Sequence, residues 1–256
     1  MSIDSPEIVN GLQTSPEIFT FFNENKDKSD DRHVLIRVVL PPDELTRNKI
    51  TKATNLQTPV AALSLRATDQ IHFDIEERLR LYGLFYDRRK GQYRNQRKPI
   101  SQIVTIKGLA QSVLAVLLLR PNDAYGGPLK VLKQEDSYNR IFSEKYDRDL
   151  YVSCSLLDKR VADFIGGVAG LSREERRGLK YYIMTWLARK MSKKKNPTPA
   201  DITKLKGAVV MGISDIEIAD ATNAVLKLYK ANGGNDKTAK GPSFRQVLLD
   251  AQPGLA

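Results

Sequence analysis

The sequence predicts an α/β (α+β) N-terminal part with few strands, followed by an all-α region, so that the chain is predominantly helical. Three observations carry this. Strand-like runs are few and early: Ile8-Val9, and the β-branched stretch from Arg32 to Leu40. Apolar residues recur at helical spacing through most of the remainder. From about Asp136 onward, only helical patterns broken by Gly, Pro and Asn are left, which sets a boundary between an α/β core at residues 1–135 and a helical region at residues 136–256.

The first element reads strand, turn, helix. Ile8-Val9 leads into Asn10-Gly11, a dipeptide suited to positive φ, and then into Leu12-Gln13-Thr14 and a helical pattern. A helix entered this way leaves backbone N–H groups free at its first turn. With the Asn10 and Gln13 amides and the Thr14 hydroxyl, these can hold an anion or a nucleobase edge. Capping and turn closure alone account for the same residues.

The run Arg32-His33-Val34-Leu35-Ile36-Arg37-Val38-Val39-Leu40, ended by Pro41-Pro42, reads as a strand. Two strands are too few for an independent sheet. The sequence therefore reads as the C-terminal portion of a longer protein, with earlier strands lost or encoded separately.

Past Pro42, Asp43 is placed to cap a helix through Leu45, Ile50 and Ala53. It ends at a second amide motif, Thr54-Asn55-Leu56-Gln57, which enters an extended stretch at residues 58–65. Thr68 or Asp69 then caps a helix whose Ile71, Ile75, Leu79 and Tyr82 form one buried stripe. His72 and Glu76 fall on another face and read as a solvated i,i+4 pair rather than half of a metal site.

Gly83 stops that helix. From Arg88 to Lys107 stand seven bases and no acid, with Tyr93 among them and Tyr86 just before. Guanidinium groups pair with phosphate oxygens and phenol rings stack on bases, so the composition is that of a nucleic-acid contact surface. The passive alternative is a solvated β-hairpin turning at Gly91.

Ile103-Val104-Thr105 leads into a helix through Leu118 that is apolar on nearly every face and so belongs at the centre of the core. Arg120-Pro121 ends it. Residues 122–128 read as a turn-rich loop, and Gly126-Gly127 lacks the downstream Gly-Lys-Ser/Thr of a phosphate loop.

Helices follow at residues 137–146 and 150–168. Ser172 and Glu175 then have capping-box spacing and open a helix ending near Met191. Two more are expected at residues 214–230 and 243–249, with a flexible linker at residues 232–237. Residues 173–195 hold nine bases against Glu174 and Glu175. Tyr181, Tyr182, Ile183, Trp186 and Leu187 are the expected core face of that helix, and Lys193, Lys194 and Lys195 are placed for phosphate contacts.

Composition narrows the partners. Forty-one Lys and Arg against thirty Asp and Glu give a formal charge of +11, which favours a polyanion such as DNA or RNA. The one cysteine, Cys154, excludes an intrachain disulfide and sits in an apolar helical pattern as a structural thiol. No run has the length of a membrane span and no signal peptide is evident, so a cytoplasmic protein without a membrane partner is expected.

Four ordered blocks then carry a resemblance. They are Ile8-Val9-Asn10-Gly11-Leu12-Gln13-Thr14; Ala53-Thr54-Asn55-Leu56-Gln57-Thr58-Pro59-Val60; Leu65-Arg66-Ala67-Thr68-Asp69-Gln70; and Gly83-Leu84-Phe85-Tyr86-Asp87-Arg88-Arg89-Lys90-Gly91. In this order, over about residues 6–120, the chain resembles the AIPR family of bacterial abortive-infection phage-resistance proteins. Leu56 stands where members often have Ser. The resemblance implies a role in defence against phage, and a region preceding the first block in family members.

Three functions follow as expectations. The first is nucleic-acid binding, with Asn10, Gly11, Gln13, Thr14, Thr54, Asn55 and Gln57 lining an amide cleft and Arg66, Tyr86, Arg88, Arg89 and Lys90 meeting the ligand. The second is a nuclease or nucleotide-hydrolysing effector completed by a separately encoded N-terminal half. Metal-dependent cleavage needs clustered carboxylates, and Asp69, Asp74 and Asp87 show no recognisable spacing, so no catalytic residue, metal or cofactor is assigned. The third is a module that senses a phage or host protein.

Overall fold

The computed structural model describes residues 14–25, 33–43, 46, 50 and 66–251. They belong to two units, residues 1–65 and residues 66–256.

In the first unit, α1 spans Thr14–Glu24. Phe19, Phe21 and Phe22 are exposed on it. Among the described residues 33–40 there is no strand, which corrects the strand expected there: Leu35 is 96 % exposed and Val34, Ile36, Val38, Val39 and Leu40 are exposed with it. β-branched residues favour a strand because they fit a pleated, half-buried surface, and no such surface covers them among the described residues. The cap expected at Asp43 forms, with the Thr46 N–H donating to Asp43 Oδ1 at 2.6 Å.

The second unit opens with α2 (Gln70–Arg80), whose Ile71, Ile75 and Leu79 are buried as the stripe predicts. Gly83, at φ +70°, closes the turn after it. Strands β1 (Phe85–Asp87) and β2 (Ile103–Thr105) pair in parallel, with Tyr86 opposite Val104. A hairpin turning at Gly91 would make the pair antiparallel. The chain instead crosses over through the short helix α3 (Gln92–Asn95) and a 3-10 turn at Ile100–Gln102, because parallel neighbours need a connection long enough to return to the same edge.

Thr105 caps α4 (Ile106–Val116) by accepting from the Gly108 N–H at 3.0 Å. Leu109, Ala110, Val113, Leu114, Ala115 and Val116 are fully buried, which makes α4 the central helix expected. The turn-rich loop after it is helical: α5 (Pro121–Gly126) and α6 (Pro128–Leu132) each begin with Pro at the first helical position, where its missing N–H is not needed. Then come α7 (Glu135–Ile141), α8 (Asp149–Gly166) and α9 (Arg173–Ser192). The Ser172/Glu175 capping box is present. Trp186 is half-buried, whereas Tyr181, Tyr182, Ile183 and Leu187 are buried.

The helix α10 (Pro199–Met211) was not expected, although its capping box, Thr198 with Asp201 before a Pro start, repeats the device at Ser172. A third box, Ser214 with Glu217, opens α11 (Asp215–Ala231). Part of the expected linker is helical, since Asn235 caps α12 (Asp236–Lys240), and α13 (Pro242–Asp250) ends the described chain.

α9 is the hub, in contact with α4, α5, α8, α10, α11, α12 and α13. Its Arg189 is fully buried. The guanidinium donates to Lys195 O (3.0 Å), Leu248 O (3.0 Å), Ala251 O (3.0 Å) and Leu249 O (2.9 Å), so it caps the open carbonyl end of α13. Burial lowers its pKa. Asp149 has a similar tying role: Arg78 of α2 (2.6 and 2.8 Å) and Lys206 of α10 both donate to its carboxylate. Cys154 is buried, and burial pushes its thiol pKa up.

Candidate functional site

Two of the four sequence blocks meet in the second unit. Arg88 folds back so that its Nη1 donates to the Ala67 carbonyl at 3.0 Å and its Nε to Glu76 Oε2 at 2.5 Å, with its guanidinium 3.9 Å from the Phe73 ring centroid. Glu76 also accepts from the Tyr93 hydroxyl at 2.6 Å. Arg66 pairs with Glu135 of α7 and lies 3.9 Å over the Tyr138 ring.

Beneath them runs a buried relay. His72 Nδ1 is 2.8 Å from the Tyr86 hydroxyl, His72 Nε2 is 2.7 Å from the Tyr138 hydroxyl, and Tyr138 donates to Asp69 Oδ2 at 2.9 Å. Because Tyr138 gives its proton to a carboxylate, its oxygen accepts from Nε2–H, and Nδ1 then accepts from Tyr86. The imidazole is held neutral: burial, then the fields of Arg88 and Arg66, lower its pKa to about 4. Burial is also what raises the Tyr86 pKa. The solvated His72–Glu76 pair expected from sequence is thus corrected. His72 is fully buried between two phenols, and Glu76 faces Arg88 and Tyr93.

The crossover is anchored from inside. Asp87 is buried, and its carboxylate accepts from the Gly91 N–H at 2.8 Å and the Tyr93 N–H at 3.3 Å, fixing the entry to α3. The Tyr93 ring lies against Phe85, with centroids 5.2 Å apart. Arg89, Lys90, Arg94, Arg97 and Lys98 are all exposed on the outer side, and residues 88–102 contain no carboxylate.

The predicted residues therefore separate. Arg66 and Arg88 are bound into ion pairs, Tyr86 is fully buried and unable to stack on a base, and Arg89 and Lys90 face solvent. Thr14 begins α1 in the other unit. Asn10, Gly11, Gln13, Thr54, Asn55 and Gln57, and with them the amide cleft, lie outside the described residues. The reading from sequence missed Asp69, Glu135 and Tyr138 as partners. Their separation along the chain hides them, since Tyr138 lies 66 residues from His72. Among the described residues no group of three or more His, Cys, Asp or Glu side chains is placed to hold a metal, and no helix is long and apolar enough to cross a membrane.

A comparison with protein families settles the resemblance, since the model of the family described as AIPR protein matches residues 1–231. The chain belongs to the AIPR family. Membership of this AIPR protein extends the likeness well past residue 120, through α9, α10 and α11. It also points to an abortive-infection, phage-defence role. None of the curated proteins or solved structures compared with the AIPR chain matches it.

Proposed function

We propose that this AIPR protein acts in phage defence by binding nucleic acid through the phosphate backbone, with the outer face of the β1–β2 crossover as its contact surface. One observation carries the reading. Arg89, Lys90, Arg94, Arg97 and Lys98 are exposed on a backbone pinned by Asp87, with no carboxylate of their own segment to neutralise them. A pre-ordered row of cations loses little entropy on meeting phosphates. Tyr86 and Tyr93 are turned inward, so base stacking is not the mode, and contacts to phosphate alone carry no sequence information.

The test is binding of the intact chain to DNA and RNA duplexes and single strands over a range of salt. Counterion release gives a slope of about −0.9 per duplex phosphate, so five contacts yield roughly −4 to −5. The double variant Arg94→Gln/Arg97→Gln is expected to flatten the slope by about 2. Binding that is absent, or insensitive to salt, refutes the reading.

A further inference from the structure

A second basic feature lies wholly within the helical part of the second unit. It is a cleft of about 400 Å³ between α4, α5, the C-terminal end of α8 and the start of α9. Its polar walls are Lys107, Gln111, Tyr125, Arg176, Arg177 and Lys180, with Tyr181 beside them and no carboxylate among the lining residues. The volume is within the range of small-molecule sites, roughly 300–1,000 Å³.

The four cations are not equivalent. Lys180 is held by Asp158 at 2.7 Å, with its ammonium 4.7 Å from the Tyr181 ring centroid. Arg176 donates one nitrogen to the Val168 carbonyl at 2.9 Å, while its Nε is buried and has no hydrogen-bond partner. A buried N–H without an acceptor is costly, so the protein's own groups leave the Arg176 guanidinium incompletely satisfied. Lys107 and Arg177 are exposed, and neither forms an ion pair with any carboxylate of the described residues. The Tyr125 wall is rigid: its hydroxyl donates to Asp236 at 2.7 Å, and its ring packs so closely on Gly178 that a Cβ there would come within 3.0 Å of it.

We propose that this cleft binds a terminal phosphate, with Arg176, Arg177 and Lys107 on the phosphate oxygens and the Tyr125 and Tyr181 walls beside the group that carries it. The shared chemistry is a phosphomonoester, borne either by a free mononucleotide or by the 5′ end of a nucleic-acid strand. Arg guanidinium groups suit it because their planar donor sets match phosphate oxygens. The proposal does not rest on the crossover, which lies on other elements.

The experiment is calorimetric titration of the full chain with inorganic phosphate, a nucleoside monophosphate and the matching nucleoside, and with oligonucleotides carrying a 5′-phosphate or a 5′-hydroxyl. Phosphate and the nucleoside monophosphate are expected to compete for one site that the nucleoside does not enter. Lys107→Gln and Arg177→Gln, both at exposed positions, are each expected to weaken binding about tenfold, or about 1.4 kcal/mol. The crossover variant Arg94→Gln/Arg97→Gln is expected to leave it unchanged. Preference for the 5′-phosphorylated strand, lost in the cleft variants, assigns the strand end; binding of the monophosphate without that preference assigns the free nucleotide. Absence of phosphate binding, binding that survives both cleft substitutions, or binding lost in the crossover variant overturns the proposal.

Discussion

Residues 88–107 and residues 173–195 look alike in sequence, each with a surplus of seven positive charges, yet the structure ties down a larger share of the second run than of the first. In the first, only Arg88 is turned inward to an acid, and the bases that follow it stand in solvent. In the second, Arg189 is buried as the cap of α13, Lys180 is held by Asp158, Lys194 by Asp201, and Arg176 reaches the Val168 carbonyl, while Arg173, Arg177, Lys193 and Lys195 remain exposed. A base on a helix at the hub of a domain becomes structural where its long side chain reaches a neighbouring carbonyl end or carboxylate. On the crossover, Arg89, Lys90, Arg94, Arg97 and Lys98 keep their charge in solvent.

The largest effect expected from breaking this contrast is at Arg189. Arg189→Met strips four carbonyls of their donor in the interior and is expected to cost at least about 3 kcal/mol in chemical denaturation, with loss of protection at α13. A near-neutral outcome would mean that Arg189 is as dispensable as a surface base.

Next comes pH. The folded pKa of His72 is depressed from 6.5 to about 4, so the unfolded chain takes up a proton first as pH falls. Stability is full above pH 6.5 and declines between there and pH 4, by about 3 kcal/mol over the window. His72→Phe is expected to flatten that stretch of the curve; an unchanged slope in the variant contradicts the buried relay. Asp149 acts lower. Its carboxyl is held down by hydrogen bonds from Arg78, against the opposing effect of burial, and from Lys206, so its contribution disappears only as pH falls below the ordinary carboxylate range. Asp149→Asn at neutral pH is expected to cost about 2 kcal/mol, read from denaturant midpoints.

At the other extreme, Arg94→Gln/Arg97→Gln is expected to change stability by less than about 0.5 kcal/mol, because both side chains are exposed. A melting curve that drops by several degrees would show that the crossover bases also serve the fold.

Local signals were legible where one segment contains its own explanation. The Ser172 capping box, the Ile71, Ile75 and Leu79 stripe, the all-round apolar α4 and the buried Cys154 all follow from short-range pattern. The strand expected at residues 32–40 misled because β propensity needs a neighbour to act on, and the hairpin at Gly91 misled because its turn chemistry serves the entry of α3 instead. Of the candidate site, only the exposure of its outer residues was legible. Arg89 and Lys90 could be read from composition, but the inward roles of Tyr86, Arg88 and His72 depend on Glu76, Tyr138 and Ala67 across elements that no local pattern connects.

The central claim is that the exposed charge of the crossover meets nucleic-acid phosphates. It is tested most directly by the salt dependence of nucleic-acid binding in two variants measured side by side, Arg94→Gln/Arg97→Gln and Lys194→Gln. The crossover pair is expected to weaken binding and reduce the slope by about 2, while Lys194→Gln, whose ammonium group already faces Asp201, leaves the slope unchanged. An unchanged slope in the crossover variant, or an equal loss in both, contradicts the account.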